Sequence, residues 1–283
     1  RYAVDGLTRR RLDRPYVRGA DGRLHPATWE EAFTAIRDRL AALPGSAIAA
    51  LAGDLCDAEA MLALKDLVTR LGSANLDCRQ DGARLGGGAE AGFLFNSGIA
   101  GLEQADAILL VGSNPRWEAP LVNARLRKRF LKGGLKIAAI GPRPDLTFPY
   151  EHLGEGTAAL AAVARGEGFG AVLKGAKNPA IILGMGALAR ADGGAVLALA
   201  RQAAESLGLV REGWNGFNVL HTAAARVGGL LLGFLPGAGG KDRDAILAGA
   251  ASGEIQAVFL LGADELPAGS LGKAFVVYQG HHR

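Results

Sequence analysis

The sequence predicts an α/β protein built from two Rossmann-like parallel-sheet subdomains. Three observations carry that prediction. Runs apolar at every position, such as 107–111 and 180–183, mark strands buried on both faces, as in parallel sheets covered by helices. Segments of helical period alternate with such runs over the whole length. Glycine is abundant, with 42 in 283 residues, roughly twice the usual share of about 7%. The glycines follow the apolar runs without a period, so they read as βα turns rather than low complexity.

The clearest unit is residues 106–144. A strand at 107–111 is followed by the turn Gly112, Ser113, Asn114, Pro115. A helix over 118–132 has Leu121, Ala124, Leu126 and Phe130 as its apolar side, and Gly133-Gly134 stops it. The second strand, 136–140, ends in Gly141-Pro142. Asn114 suits a helix N-cap and Pro115 the first helical position. Ligands in such folds lie outside the carboxyl ends of strands, so 112–114 and 141–143 are where a cofactor would sit.

The remaining elements follow in order. Residues 1–25 read as an extended, Arg-rich leader with a hairpin at Asp21-Gly22. Thr28 and Glu31 form a capping box opening a helix over 29–43, with Trp29, Ala32, Phe33, Ile36 and Leu40 on one face. A strand at 46–51 and a helix over 57–71 come next, the helix with Met61, Leu64, Leu67 and Val68 inward. Residues 73–78 suggest a short strand. The Gly-rich, weakly patterned stretch 82–105 reads as a crossing into a second subdomain. Beyond the central unit, 146–154 reads as a loop and 157–165 as a short helix. A strand at 180–183, helices over 187–207, 215–227 and 242–251, and strands at 257–261 and 275–278 complete the chain. The implied organisation is a leader 1–25, a discontinuous lobe 26–82 plus 176–283, and an inserted Rossmann-like subdomain 83–175.

Composition excludes several function classes. A net charge of +4 does not require nucleic acid, and aromatics interleaved with the cations for base stacking are absent. No apolar run reaches the roughly 18–20 residues that span a bilayer, so membrane insertion is not expected. Cys56 and Cys78 are too few for a four-ligand cluster or a disulfide framework, which suits a reducing compartment. The start at Arg1 and the stop just after an apolar strand suggest a piece of a longer polypeptide.

Candidate motifs are weak. Gly184-Met185-Gly186-Ala187 mimics a dinucleotide fingerprint, but the acid about 20 residues on is Glu205, within a helical stretch; a plain βα turn is the simpler reading. Gly237-Ala238-Gly239-Gly240-Lys241-Asp242 lacks the first glycine and the hydroxyl residue of a phosphate loop. Arg125, Lys128, Arg129 and Lys132 form one basic helix face, either simply solvated or docking an acidic partner. His281 and His282 would point to opposite faces of a strand. His152 and His221 are isolated. No catalytic set and no metal-ligand spacing stands out.

Several stretches together carry a resemblance: YAVDGLTRRRL (2–12), TWEEA (28–32), AGDLCDAEAMLALKDL (52–67), IAGLEQADAILLVGSNPRWEAPLVNARLRK (99–128), IGPRPDLTFPYEHLG (140–154), VFLLGADE (258–265) and VVYQGHH (276–282). The sequence resembles the large iron–sulfur subunits of respiratory NADH:quinone oxidoreductase, complex I, from bacteria and, as the 75 kDa subunit, from mitochondria. VGSNPRWEAPLVNARLRK is the most specific part, and the resemblance covers essentially the whole length. It implies a molybdopterin oxidoreductase-like fold, similar to formate dehydrogenase and DMSO reductase, with a pterin-nucleotide site between two α/β subdomains.

In those molybdenum enzymes a Cys, selenocysteine or Ser ligand follows a strand like 74–78. Here Arg79, Gln80, Asp81, Gly82, Ala83, Arg84 and Leu85 follow, and none is a soft or anionic donor of that kind. The resemblance therefore implies a cofactor-free structural module with a vestigial cleft at Gly112, Ser113, Asn114, Gly141, Arg143, Gly184 and Gly186. Iron–sulfur clusters would lie in a missing N-terminal part; some bacterial members carry an extra four-cysteine cluster, which two cysteines cannot supply. The implied partners are other peripheral-arm subunits, docking through Arg9, Arg10 and Arg11 and through Arg125, Lys128 and Arg129, at the cytoplasmic face of a bacterial inner membrane. The alternatives are a molybdopterin-dinucleotide oxidoreductase, or a nucleotide-binding module using 112–114 and 184–186.

Overall fold

The apolar runs become the strands of two parallel sheets, in a computed structural model that describes residues 7, 9, 11–86 and 88–282. In chain order the elements are β1 (Tyr16–Arg18), β2 (Leu24–Pro26), α1 (Trp29–Leu40), β3 (Ile48–Ala52), α2 (Ala58–Arg70), β4 (Leu76–Asp77), β5 (Ala107–Val111), α3 (Pro120–Leu131), β6 (Lys136–Ile140) and β7 (Glu151–Gly154). Then come α4 (Thr157–Ala164), α5 (Phe169–Gly175), β8 (Pro179–Gly184), α6 (Gly193–Ser206), β9 (Val210–Arg211), β10 (Trp214–Asn215), β11 (Phe217–Leu220), α7 (Arg226–Leu231), α8 (Arg243–Ser252), β12 (Ala257–Leu261) and β13 (Phe275–Gln279). Single helical turns stand at Gly98–Gly101, Pro115–Glu118 and Met185–Leu188.

The chain forms two units. One ends its first segment at Asp81 and resumes at Gly228; the other is Gly82–Val227. The first holds a four-stranded parallel sheet, order β13-β12-β3-β4. Its core includes Leu51, Ile246, Ala250 and Val258. The leader hairpin pairs β1 with β2 across Gly22, whose φ of 74° fits the turn.

The second unit holds a five-stranded sheet, order β11-β8-β5-β6-β7, with every pairing parallel. From β5 the chain winds one way to β6 and β7, then the other way to β8 and β11. This is a doubly wound sheet with its switch between β5 and β8. All five residues of β5 and all six of β8 are buried, as strands covered by helices on both faces must be.

The structure corrects the second subdomain boundary. Residues 176–227 belong with 82–175, not with the flanking lobe, so the unit expected at 83–175 extends to Val227. The cause is local: both Asp106 carboxylate oxygens accept backbone N–H groups, from Asn178 at 2.7 Å and Lys177 at 2.8 Å. They draw the start of β8 onto the start of β5.

Three element assignments change as well. The helix expected over 215–227 is instead β10 and β11, with α7 starting only at Arg226. Gly216 runs so close to Pro179 that a Cβ on it would come within 2.8 Å of the Trp214 indole nitrogen. A four-residue run is too short for its period to tell strand from helix. The loop expected at 146–154 ends in β7, an edge strand joined to β6 with a bulge between Ala139 and Ile140. The helix expected over 187–207 begins at Gly193, after the separate turn Met185–Leu188.

Helix faces differ too. In α2, Met61, Leu64 and Val68 are buried and Leu67 is exposed. In α3 the inward residues are Val122, Asn123 and Leu126, while Leu121 is 72% exposed. Pro120 restarts the helix after Ala119, which resets its phase. The capping box at Thr28 and Glu31 forms as expected, but none of the α1 residues is buried; Trp29 and Phe33 lie exposed with ring centroids 5.7 Å apart.

Candidate functional site

The carboxyl end of β5 turns through Gly112 at φ 58° into Ser113, Asn114 and Pro115. Asn114 occupies the N-cap position, but its side chain makes no capping bond. Glu118, four residues on, reaches back to the turn instead. Its carboxylate accepts the Asn114 N–H at 3.0 Å and the Ser113 hydroxyl at 3.0 Å. The two donors that would face an anion at this strand end are therefore engaged within the loop. At the end of β6, Gly141 has φ 122°, its N–H donates to Gly154 at 2.8 Å, and its carbonyl meets His152 Nε2 at 2.8 Å. Arg143 is exposed.

The switch point itself is closed by backbone. A Cβ on Gly112 would collide with Ala187, meeting its Cα at 2.9 Å. One on Gly184 would meet Ser113 Cβ at 2.6 Å, and one on Gly186 would meet the Gly112 carbonyl at 2.7 Å. The glycines let the β5 and β8 turns pack against each other with no gap between them. What remains beside them is a cavity of about 40 Å³, lined by Gly112, Gly141, Gly186, Glu155, Thr157 and Arg190 among others. That admits a few waters, whereas pockets for drug-sized ligands and cofactors run from about 300 to 1,000 Å³.

Of the seven expected cleft residues, the structure thus brings Gly112, Gly141 and Gly186 around one hollow, which Ser113, Asn114, Arg143 and Gly184 do not line. Glu155, Thr157 and Arg190 went unread in the sequence. The signal for the first two was Gly154-Glu155-Gly156-Thr157, one more glycine turn between strand and helix.

In the first unit the strand-end turns are apposed in the same way, beside a hollow of about 330 Å³ lined by Leu260, Ala263, Asp264 and Tyr278 among others. Gly53 follows β3 and Gly262 follows β12, and a Cβ on Gly53 would run into the Gly262 backbone, with Ala263 N at 2.9 Å. Cys56 beside them donates its thiol to the Leu261 carbonyl at 2.9 Å. Partial burial pushes that thiol up, and Asp57, Asp54 and Asp264 add to the effect.

The thiol, selenol or hydroxyl ligand that the resemblance would place after β4 for a molybdenum-bearing pterin is not found there, and Asp81 is the one anionic side chain in residues 79–85. Cys78, at the end of β4, is buried in the core of its unit, where a Cβ on Gly229 would meet its sulfur at 2.9 Å and Met61 sulfur at 3.4 Å. Residues 79–85 offer no thiolate, selenolate or hydroxyl. Among the described residues, no group of three or more His, Cys, Asp or Glu side chains could hold a metal.

The basic residues expected at a subunit contact are largely engaged within the chain. Arg125 and Lys128 both donate to Glu103, and Lys132 lies 3.6 Å from it. The Lys128 and Arg125 hydrogen bonds hold the Glu103 carboxyl down to about 2. Arg129 turns back to the Gly133 carbonyl at 2.6 Å, covering the end of α3 as cations do at helix C-termini. Arg9 and Arg11 are exposed, and Arg11 pairs by a β-bridge with His282. Arg10 lies outside the described residues.

The chain is 41% identical over 284 residues to the mitochondrial NADH dehydrogenase [ubiquinone] iron-sulfur protein 1 of Solanum tuberosum. It is 40% identical over 283 residues to an NADH-quinone oxidoreductase subunit of Rickettsia bellii. It is 42% identical over 292 residues to the mitochondrial NADH-ubiquinone oxidoreductase 78 kDa subunit of Neurospora crassa. In each case all of this chain is matched, but it spans only 37–40% of the relative's length. A solved structure, the formyltransferase/hydrolase complex FhcABCD of Methylorubrum extorquens with methylofuran, shares the fold at a TM-score of 0.55 and 18% identity, over 89% of this chain and 78% of that one. The molybdopterin oxidoreductase family model matches residues 11–283, and the chain belongs to the molybdopterin oxidoreductase family.

Proposed function

We propose that this chain is the molybdopterin oxidoreductase-like part of the large iron–sulfur subunit of a respiratory NADH:quinone oxidoreductase, and that it serves there as a cofactor-free structural module. Electrons would pass from NADH to quinone through iron–sulfur clusters elsewhere in the full subunit. This part would brace those cluster domains and present surface to neighbouring subunits of the peripheral arm, at the cytoplasmic face of a bacterial inner membrane. Full-length similarity of this chain to three such subunits supports the assignment. Among the described residues no helix is long and apolar enough to cross a membrane, which is compatible with an extrinsic position.

One observation carries the structural-module reading. Gly112, Gly184 and Gly186 bring the β5 and β8 turns together backbone to backbone, which leaves no room for a ligand between those two turns. Cys78, the thiol nearest the expected ligand position, is core. The test is metal analysis of the purified chain together with fluorescence assay for released pterin after denaturation. The expected result is no molybdenum, no tungsten and no pterin; stoichiometric recovery of any of them overturns the reading. In parallel, deleting 82–227 from the full subunit should abolish assembly of the peripheral arm. Normal assembly and NADH oxidation after that deletion would refute the bracing role.

A further inference from the structure

Helix α3 has two faces with different fates. Val122, Leu126 and Phe130 turn toward the sheet. On the opposite side, Leu121, Ala124, Lys128 and Leu131 follow one another at spacings of three and four residues, which aligns them along the helix. Leu121 and Leu131 are 72% and 69% exposed, and Trp117, four residues before Leu121 in the preceding turn, is 75% exposed. Ala124 and Lys128 are also exposed. Single exposed leucines are ordinary; two in one row on a helix, with an exposed tryptophan in the separate turn just before it, mark a contact surface.

The charge around this row is mostly positive, with Asp145 paired to Arg116 and Glu103 to the helix cations. From Arg116 to Lys132 the chain carries six cations, Arg116, Arg125, Arg127, Lys128, Arg129 and Lys132, and a single acid, Glu118. Glu118 is turned inward onto Ser113 and Asn114. Glu103 faces Arg125, Lys128 and Lys132 together, so one negative charge meets three positive ones. The surplus borders the leucines, as the flanking charges of a helix–helix seam do.

We propose that this outer face of α3, with Trp117 at its head, docks an acidic amphipathic helix of a neighbouring subunit. The inference deepens the structural-module reading and rests on it. The apolar side of the partner helix would cover Trp117, Leu121, Ala124 and Leu131. Its carboxylates would meet Lys128, Lys132 and Arg125, which Glu103 leaves incompletely neutralised.

The test uses the assembled enzyme with a photoreactive amino acid at Ala124, and separately at Lys128, and sequences the cross-linked peptide. The expected adduct is a net-negative helical segment of another subunit. An adduct to lipid, to a second copy of this chain, to a basic or non-helical segment, or no adduct, overturns the proposal. Leu121→Asp with Leu131→Asp should lower incorporation into the arm by about tenfold or more while leaving the melting temperature of the isolated chain unchanged, since both side chains stand in solvent. Leu121→Met with Leu131→Met should assemble normally. If the unmodified chain itself does not enter the arm, the assignment to this complex fails. If it enters, and the double Asp variant enters equally well, only the docking face fails.

Discussion

Gly53 and Gly262 meet backbone to backbone at the carboxyl ends of β3 and β12, where a Cβ on Gly53 has no place. The Gly53 N–H donates to the Leu261 carbonyl at 2.8 Å, which locks the approach. Gly53→Ala must therefore push two fixed turns apart, and overpacking of this kind costs about 3 kcal/mol. Gly133 is a contrast: it has φ 78° and open space around it, so Gly133→Ala carries only backbone strain of about 1 kcal/mol. Urea unfolding of both variants should rank Gly53→Ala as clearly the worse. Equal losses would mean that the turns at β3 and β12 are not rigidly apposed.

Glu103 makes stability depend on acid pH. Its carboxyl is held at about 2 by Lys128 first and Arg125 second. A carboxylate with a depressed folded value stabilises the fold above its unfolded pKa and loses that contribution as pH falls through the folded one. The relevant window thus runs from about pH 5 down to about pH 2. Glu103→Gln should melt lower than the native chain at pH 7, and the gap should narrow as pH falls through that window. The gap at pH 7 should also shrink in 1 M salt, because exposed cations are screened. A gap independent of pH would assign the effect to shape rather than charge.

Asp106 should be among the costlier polar residues to remove. Its two oxygens accept the backbone N–H groups of Lys177 and Asn178, so one carboxylate ties the start of β5 to the entry of β8. Asp106→Ala leaves two amides without their partner there, and charged hydrogen bonds of this kind contribute about 1.5–3 kcal/mol each when lost. The expected result is a drop of about 2–4 kcal/mol in unfolding free energy, with Asp106→Asn recovering part of it through one remaining acceptor. A loss under about 0.5 kcal/mol, the level of an ordinary surface substitution, would show that strand pairing alone fixes β8.

What the sequence made legible was local. The all-apolar runs 107–111 and 180–183, the capping box at Thr28 and Glu31, and the stops at Gly133-Gly134 each depend on a few neighbouring residues, and each forms as read. The membership of β8 did not, because a strand pattern carries no mark of which sheet it joins; that depended on Asp106, 71 residues away in the chain from Lys177. Helix faces failed for a related reason. Trp29 and Phe33 have the spacing of an inward face, but spacing cannot say whether anything is there to cover them. At the candidate cleft, the glycines were read correctly as turns. Their mutual contact was not, since Gly112 and Gly184 are closed by a backbone approach that only the folded sheet creates.

Glu118 supplies the last prediction, on the loop at the switch point. A loop at the carboxyl end of a central strand would normally keep its N–H and hydroxyl donors free for a ligand. Here Glu118 takes the Asn114 N–H and the Ser113 hydroxyl at 3.0 Å each, so these two donors are engaged by the loop's own side chain, while the buried Asn114 Oδ1 has no partner among the described residues. Glu118→Ala removes both acceptors. It should cost about 1–2 kcal/mol and speed hydrogen exchange at the Asn114 amide well before global unfolding, because the opening is local. Glu118→Gln should restore much of the protection with one neutral acceptor. If the Asn114 amide stays protected in Glu118→Ala, then the packing of Gly112 against Ala187 holds the loop by itself, and the carboxylate is only a passenger on a turn that backbone contact has already fixed.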